Sequence, residues 1–323
     1  MVKKGLLEIE WRQQKWLIIL GFLYISFFLP VETYLSYQGW KSFQYSIDQF
    51  TFYIDGRVGS HIFLSSLYAF LLAITQIGVE RGKGLFDFQL ALPYSRGAVY
   101  VTKLSVGLLL LISSVLVSLG LTFTLLKVMD AEYYYFSDFY SHLFVTLILV
   151  YSLTLAAGGV TGNVFAQGLT AFSVSVLPII TMNSIGMNVA IWIEEFMVRS
   201  YIPTKIVIDS ILELSPIYYL FYGNTLTKTG VIVPLILSIV FSIVGYLTFS
   251  RQPYERNGSF FLWKSLNRPV QLVVIFIGML GFSGFGYHTS GSQFAGYIVG
   301  AIAGAVIGFI LSYFTIYRRS RKG

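Results

Sequence analysis

Side chains that readily do chemistry are scarce in this 323-residue chain, which has no cysteine and only three histidines, His61, His142 and His288. Disulfides, thiolate metal sites and cysteine nucleophiles are thereby excluded. Glu194, Glu195 and Arg199 follow the spacing E-E-x-x-x-R, in which a carboxylate could act as general base toward water. Such a site would also need histidines in F-x-x-x-H and H-x-x-x-N or H-x-x-x-D patterns. Around His288, however, position 284 is Gly and position 292 is Ser. Glu195 and Arg199 are better read as an i, i+4 ion pair on a helix surface. Gly223 to Lys228 and Thr229 mimic a phosphate-binding loop, but the second glycine and a preceding buried strand are missing. No catalytic residue, metal ligand set or cofactor site is therefore expected within the chain.

The elements that would position any functional group are membrane-spanning helices. Hydrophobic residues make up 55% of the chain and charged residues 11%, against about 25% charged in an ordinary soluble domain. The mean hydropathy is +0.71, and no stretch is polar enough for an independent soluble domain. A hydrocarbon layer about 30 Å thick takes roughly 17 to 25 apolar helical residues. Eight windows qualify, near 16–31, 61–79, 104–126, 140–157, 166–191, 231–249, 270–285 and 294–316. With the N-terminus cytoplasmic, inner segments hold 16 of the 22 Lys and Arg, and outer segments hold 10 of the 15 Asp and Glu. This positive-inside bias puts both termini on the cytoplasmic side of the membrane. It assigns the net charge of +7 to contact with anionic lipid and leaves no role for nucleic acid. Glu8, Glu10, Arg12 and Lys15 precede the first apolar run without a small-residue cleavage pattern, so the first span is expected to be retained. Residues 6–16 read either as an N-terminal interfacial helix or as a frayed lead-in.

Polar information concentrates between the second and third spans, in residues 80–96, ERGKGLFDFQLALPYSR. On one helix, Glu80, Lys83 and Asp87 share a side, while Leu85, Phe88 and Leu92 form an apolar stripe. Pro93 cannot continue that helix, and Ser95 can cap the next, which would leave the cytoplasm through Tyr100 and Lys103. The segment reads either as a lever between two spans or as an ordinary amphipathic loop.

An acidic residue and glycine after the second span, then an apolar helix, then Leu92-Pro93-Tyr94-Ser95-Arg96, with Lys103 opening the third span, resembles the permease subunits of ABC-2-type transporters. Among these it is most similar to Gram-positive permeases of acetoin utilisation or peptide-antibiotic resistance. The resemblance implies that residues 80–96 are a coupling helix seated on a cytoplasmic ABC ATPase subunit, with the N-terminal interfacial helix beside it. Glu80, Gly84, Leu85, Phe88, Leu92, Pro93, Ser95, Arg96 and Lys103 are then the ATPase-coupling residues. ATP would be bound by the ATPase, not by this chain, and a second permease, identical or homologous, would complete the transporter. The implied fold is all-α and polytopic: a six-helix core over residues 1–250, then a linker and two further helices over 251–323.

In the last span Gly296, Gly300, Gly304 and Gly308 recur every four residues, a ridge suited to close helix packing, with the seventh span as the favoured partner. The connection 194–230 is apolar enough to dip into the outer interface. Hydroxyls and amides recur in the spans, among them Ser173, Thr181, Asn183 and Asn188, but no ionisable residue lies at mid-depth, and Pro178 and Gly186 could kink the fifth span. With the resemblance, the expectation is an ABC permease subunit that exports a hydrophobic or amphipathic substrate. A secondary transporter working without an ATPase and an ABC-type stress sensor are the alternatives.

Overall fold

The computed structural model describes residues 4–42, 50–53, 56–86, 91–196, 213–221, 229–253 and 256–317. Eight helices in it are long and apolar enough to cross a membrane. They are α1 (Lys4–Ser42), α2 (Gly56–Ile74), α3 (Arg96–Val128), α4 (Phe136–Val160), α5 (Val164–Phe196), α6 (Thr229–Ser250), α7 (Asn267–Thr289) and α8 (Phe294–Ile316). Each coincides with one of the eight apolar windows. A parallel pair of three-residue strands, β1 (Thr51–Tyr53) and β2 (Glu132–Tyr134), joins two of the connections.

The helices fall into two compact units, residues 1–159 with 216–251, and residues 160–215 with 252–323. This grouping differs from a 1–250 core with an appended pair, because α5 belongs with α7 and α8. The reason lies in side chains suited to a membrane, where close backbone approach and interhelical hydrogen bonds replace hydrophobic drive. Asn188 of α5 donates to the carbonyl of Leu280 at 2.9 Å and accepts from the Ser283 hydroxyl at 2.7 Å. Gly284 of α7 leaves the space that Met187 fills.

Within the second unit, the α8 ridge lies directly on α7. A methyl group on Gly300 would strike the carbonyl of Phe282, and one on Gly304 the carbonyl of Gly278, while Gly296 and Gly308 face Gly286 and Ile275. The atoms met first at Gly300 and Gly304 are backbone carbonyls, which have no rotamer through which to yield. Asn163 caps α5 by accepting from Ala166 N–H at 2.8 Å, and its amide holds the carbonyls of Gly258 and Ser259.

The first unit is organised around α1. Leu6, Glu10, Gln14, Ile18, Gly21, Ile25 and Leu29 are all buried, at spacings of three and four that place them on one face. Residues 6–16 are thus neither a separate interfacial helix nor a frayed lead-in but the first turns of an unbroken 39-residue helix. Tyrosines of neighbouring helices lie over glycines: Tyr68 of α2 over Gly21, and Tyr151 of α4 over Gly107 of α3.

In the α7–α8 hairpin, Gly304→Val should cost about 1–3 kcal/mol by overpacking and lower the detergent melting midpoint. Gly281→Ala, which meets nothing within 4 Å, should leave the midpoint unchanged.

Candidate functional site

At its far end α2 changes its winding. Residues 75–79 form one π-helical stretch, followed by a last α-helical turn, Glu80–Gly82. Such π-turns re-aim the side chains that follow them and are frequent at functional sites. Here Gln76 and Glu80 point into the interior, each almost completely buried. The helix then stops at Lys83 and Gly84. Gly84 has φ of +71°, which favours glycine. Glu80 is therefore not on a shared polar face with Lys83, as a continuous helix over 80–92 would require. Leu85 and Phe86 resume helical geometry. The Phe86 ring is buried against Phe249 of α6, the centroids 5.3 Å apart.

Three helices converge on Lys103, which lies on α3 about 10 Å beyond Arg96 at 1.5 Å per residue. Its ammonium group donates to Glu10 Oε2 of α1 at 2.7 Å and to Glu80 Oε2 at 2.5 Å, with Nζ, both carboxylates and their stems at most 3% exposed. Gln14, one turn after Glu10, donates to the other oxygen of Glu80 at 3.0 Å. The Tyr151 hydroxyl lies 2.7 Å from both Gln76 Oε1 and the carbonyl of Lys103. Arg81 donates to the carbonyl of Gly158 at 3.1 Å. The Arg81 and Lys103 cations lie 5.2 and 5.9 Å from the Phe86 ring centroid. Two carboxylates, one ammonium and one guanidinium are thus gathered with formal charges that cancel.

This cluster closes the base of the segment 83–95. Arg81 and Phe86 are buried at its start, and at its end the exposed Ser95 caps α3 by accepting from Ala98 N–H at 3.2 Å. Gly97 then packs under Tyr246 of α6. Of the residues expected to touch an ATPase, Pro93, Ser95 and Arg96 are exposed and Leu85 and Leu92 half-buried, whereas Phe88 and its neighbour Asp87 lie outside the described residues. Glu80 and Lys103 are not surface residues: they form the anchor beneath that surface. Tyr100, expected to emerge with Lys103 into the cytoplasm, is likewise buried. The interior that hydropathy suggests to be free of charge holds an ion cluster where spans and connection meet.

Glu10, Gln14, Gln76, Arg81 and Tyr151 escape a reading of motifs. The signal for the first two was present in the i, i+4 period that places them on the stripe of Leu6, Ile18 and Ile25. Arg199 and residues 223–228 lie outside the described residues.

Removing one partner from a buried ion cluster leaves charge without compensation, at a cost of about 3–5 kcal/mol. Lys103→Met should therefore destabilise the detergent-solubilised protein by that amount. Adding Glu10→Gln to Lys103→Met should restore most of the loss, because one buried carboxylate, Glu80, and one buried guanidinium, Arg81, then remain with formal charges that cancel.

The chain is 35% identical, over 341 aligned positions and 99% of both chains, to the probable ABC transporter permease YtrD of Bacillus subtilis (strain 168). It is 37% identical to the probable ABC transporter permease YtrC of the same organism, over 99% of this chain and all of the relative. No family model matches the chain, and no solved structure matches it. Both likenesses run through α7 and α8, so these helices belong to the common body of the relatives and are not an appendage of this chain. The chain belongs to the ABC transporter permeases, as a multi-pass subunit of the plasma membrane.

Proposed function

We propose that this permease couples ATP hydrolysis by a separate cytoplasmic ABC ATPase to the export of a hydrophobic or amphipathic substrate, through the segment 83–96. The observation that carries this reading is the buried Glu10–Lys103–Glu80 cluster, which ties both ends of that segment to α1. A loop fastened at one end absorbs a push by bending. A loop whose two roots share an ion cluster passes the push to the helices that own the cluster.

In this reading Leu92, Pro93 and Arg96 meet the ATPase, and the α1 start lies beside them, since Gly5 packs under the Tyr94 hydroxyl. The cationic bias of the segments on this side favours a cytoplasmic location for them and for both termini. ATP-driven approach of two ATPase subunits presses on Leu92 and Arg96. The cluster transmits the displacement into α1 and α3, and the packing against a second permease, identical or homologous, changes so that substrate moves outward.

Arg96→Glu or Leu92→Asp should leave folding and insertion intact while abolishing substrate-stimulated ATPase activity of the assembled transporter. Unchanged stimulation in both variants would contradict the proposed coupling surface.

A further inference from the structure

The two units treat their cations differently. In the first, Lys103 and Arg81 are gathered with Glu10 and Glu80, so that the formal charges cancel inside the molecule. In the second, Arg256, Lys264 and Arg268 come together in the connection that leads into α7. Glu255 is the last acidic residue of the chain, whereas seven Lys and Arg follow it. Lys264 and Arg268 are exposed and form no ion pair among the described residues. Arg256 spends one nitrogen on the carbonyl of Leu262 at 3.2 Å, which keeps its charge close to the turn that carries Lys264.

This connection is not free to spread its charges apart. Gly258 N–H donates to the carbonyl of Gly162 and Leu262 N–H to that of Val160, each at 2.9 Å. Phe260 and Phe261 are buried in one cluster with Ala166 of α5 and Ile316 of α8. Like charges held together by a fixed backbone repel one another, and an anion among them offsets that cost.

Depth and neighbours say which anion. Arg268 lies two residues before the apolar window that opens at 270, so the cations stand at headgroup level. Half-buried Trp263 stands there too, as tryptophans at a membrane interface do. Four and eight residues beyond Arg268, α7 exposes Leu272 and Phe276, at 66% and 49%. Cations at the rim with exposed apolar side chains behind them match a molecule that has a phosphate at one end and acyl chains at the other.

We propose that Arg256, Lys264 and Arg268 form a headgroup site for an anionic phospholipid whose chains lie along Leu272 and Phe276 of α7. The site is independent of the coupling role of residues 83–96.

To test it, the full chain purified in mild detergent is equilibrated with micelles holding equal amounts of phosphatidylglycerol and phosphatidylcholine. The lipid that stays bound after gel filtration is then quantified by mass spectrometry. Both lipids carry a phosphate and acyl chains, but only the first has a net charge. Bound lipid should be enriched in phosphatidylglycerol, and Lys264→Gln and Arg268→Gln should each lower the enrichment about fivefold, the worth of one cation near an anionic headgroup. Lys264→Arg combined with Arg268→Lys keeps both charges and should keep the enrichment. Arg12→Gln combined with Lys15→Gln removes the same charge from the exposed side of α1 and should leave it unchanged. No enrichment in the wild-type chain, enrichment that survives loss of both Lys264 and Arg268, or an equal fall in the α1 variant would overturn the site. So would displacement of the lipid by inorganic phosphate, which would make this a site for a free anion.

Discussion

Taking an ammonium group out of water is costly unless carboxylates meet it, and Lys103 is met by two that come from different helices. Everything near the segment 83–96 follows from that constraint. Glu80 must face inward, and the π-helical turn at 75–79 aims it there. Glu10 must arrive at the same depth, so α1 remains a helix through charged residues that would otherwise lie in water. Gln14 bonds the second oxygen of Glu80, and Gln76 and Tyr151 bond the backbone carbonyl of Lys103 beside it. A cluster of this kind is weak evidence for stability, because apolar packing often does as well. Its value is register: α1, the end of α2 and the start of α3 cannot slide past one another without separating buried charges.

The second unit is held by the opposite means. Gly278 and Gly286 of α7 meet the α8 ridge backbone to backbone, and the hairpin is joined to α5 by Asn188 and Ser283. Contacts between backbones are stiff because nothing in them has a rotamer to change. An ion cluster in one unit and a glycine seam in the other hold the two units together internally by different chemistry.

Much of this was legible in the amino-acid order, and the rest was hidden for identifiable reasons. All eight spans lie where the apolar windows placed them, since bilayer thickness dictates both length and composition. The last-span ridge was readable because four glycines at a spacing of four have few other uses. Glu10 was not, because its neighbours Glu8, Arg12 and Lys15 make the stretch read as a charged approach to the membrane. Only its period with Leu6 and Ile18 reveals the buried face. Glu80 and Lys103 were picked out by motif but placed on the surface, since nothing local announces the π-helical turn or the stop at Gly84. The strands β1 and β2, three residues each, carry no periodic signal at that length.

The central claim is that residues 83–96, anchored by Glu10, Glu80 and Lys103, are where the permease is driven by an ATPase. The most direct test is purification of the tagged chain from its native host in mild detergent, with mass spectrometry of what accompanies it. The account predicts a stoichiometric ABC ATPase with the wild-type chain and its loss when Arg96 is changed to Glu. Recovery of the chain without an ATPase in several gentle detergents, or an ATPase retained undiminished by the Arg96→Glu chain, would contradict it.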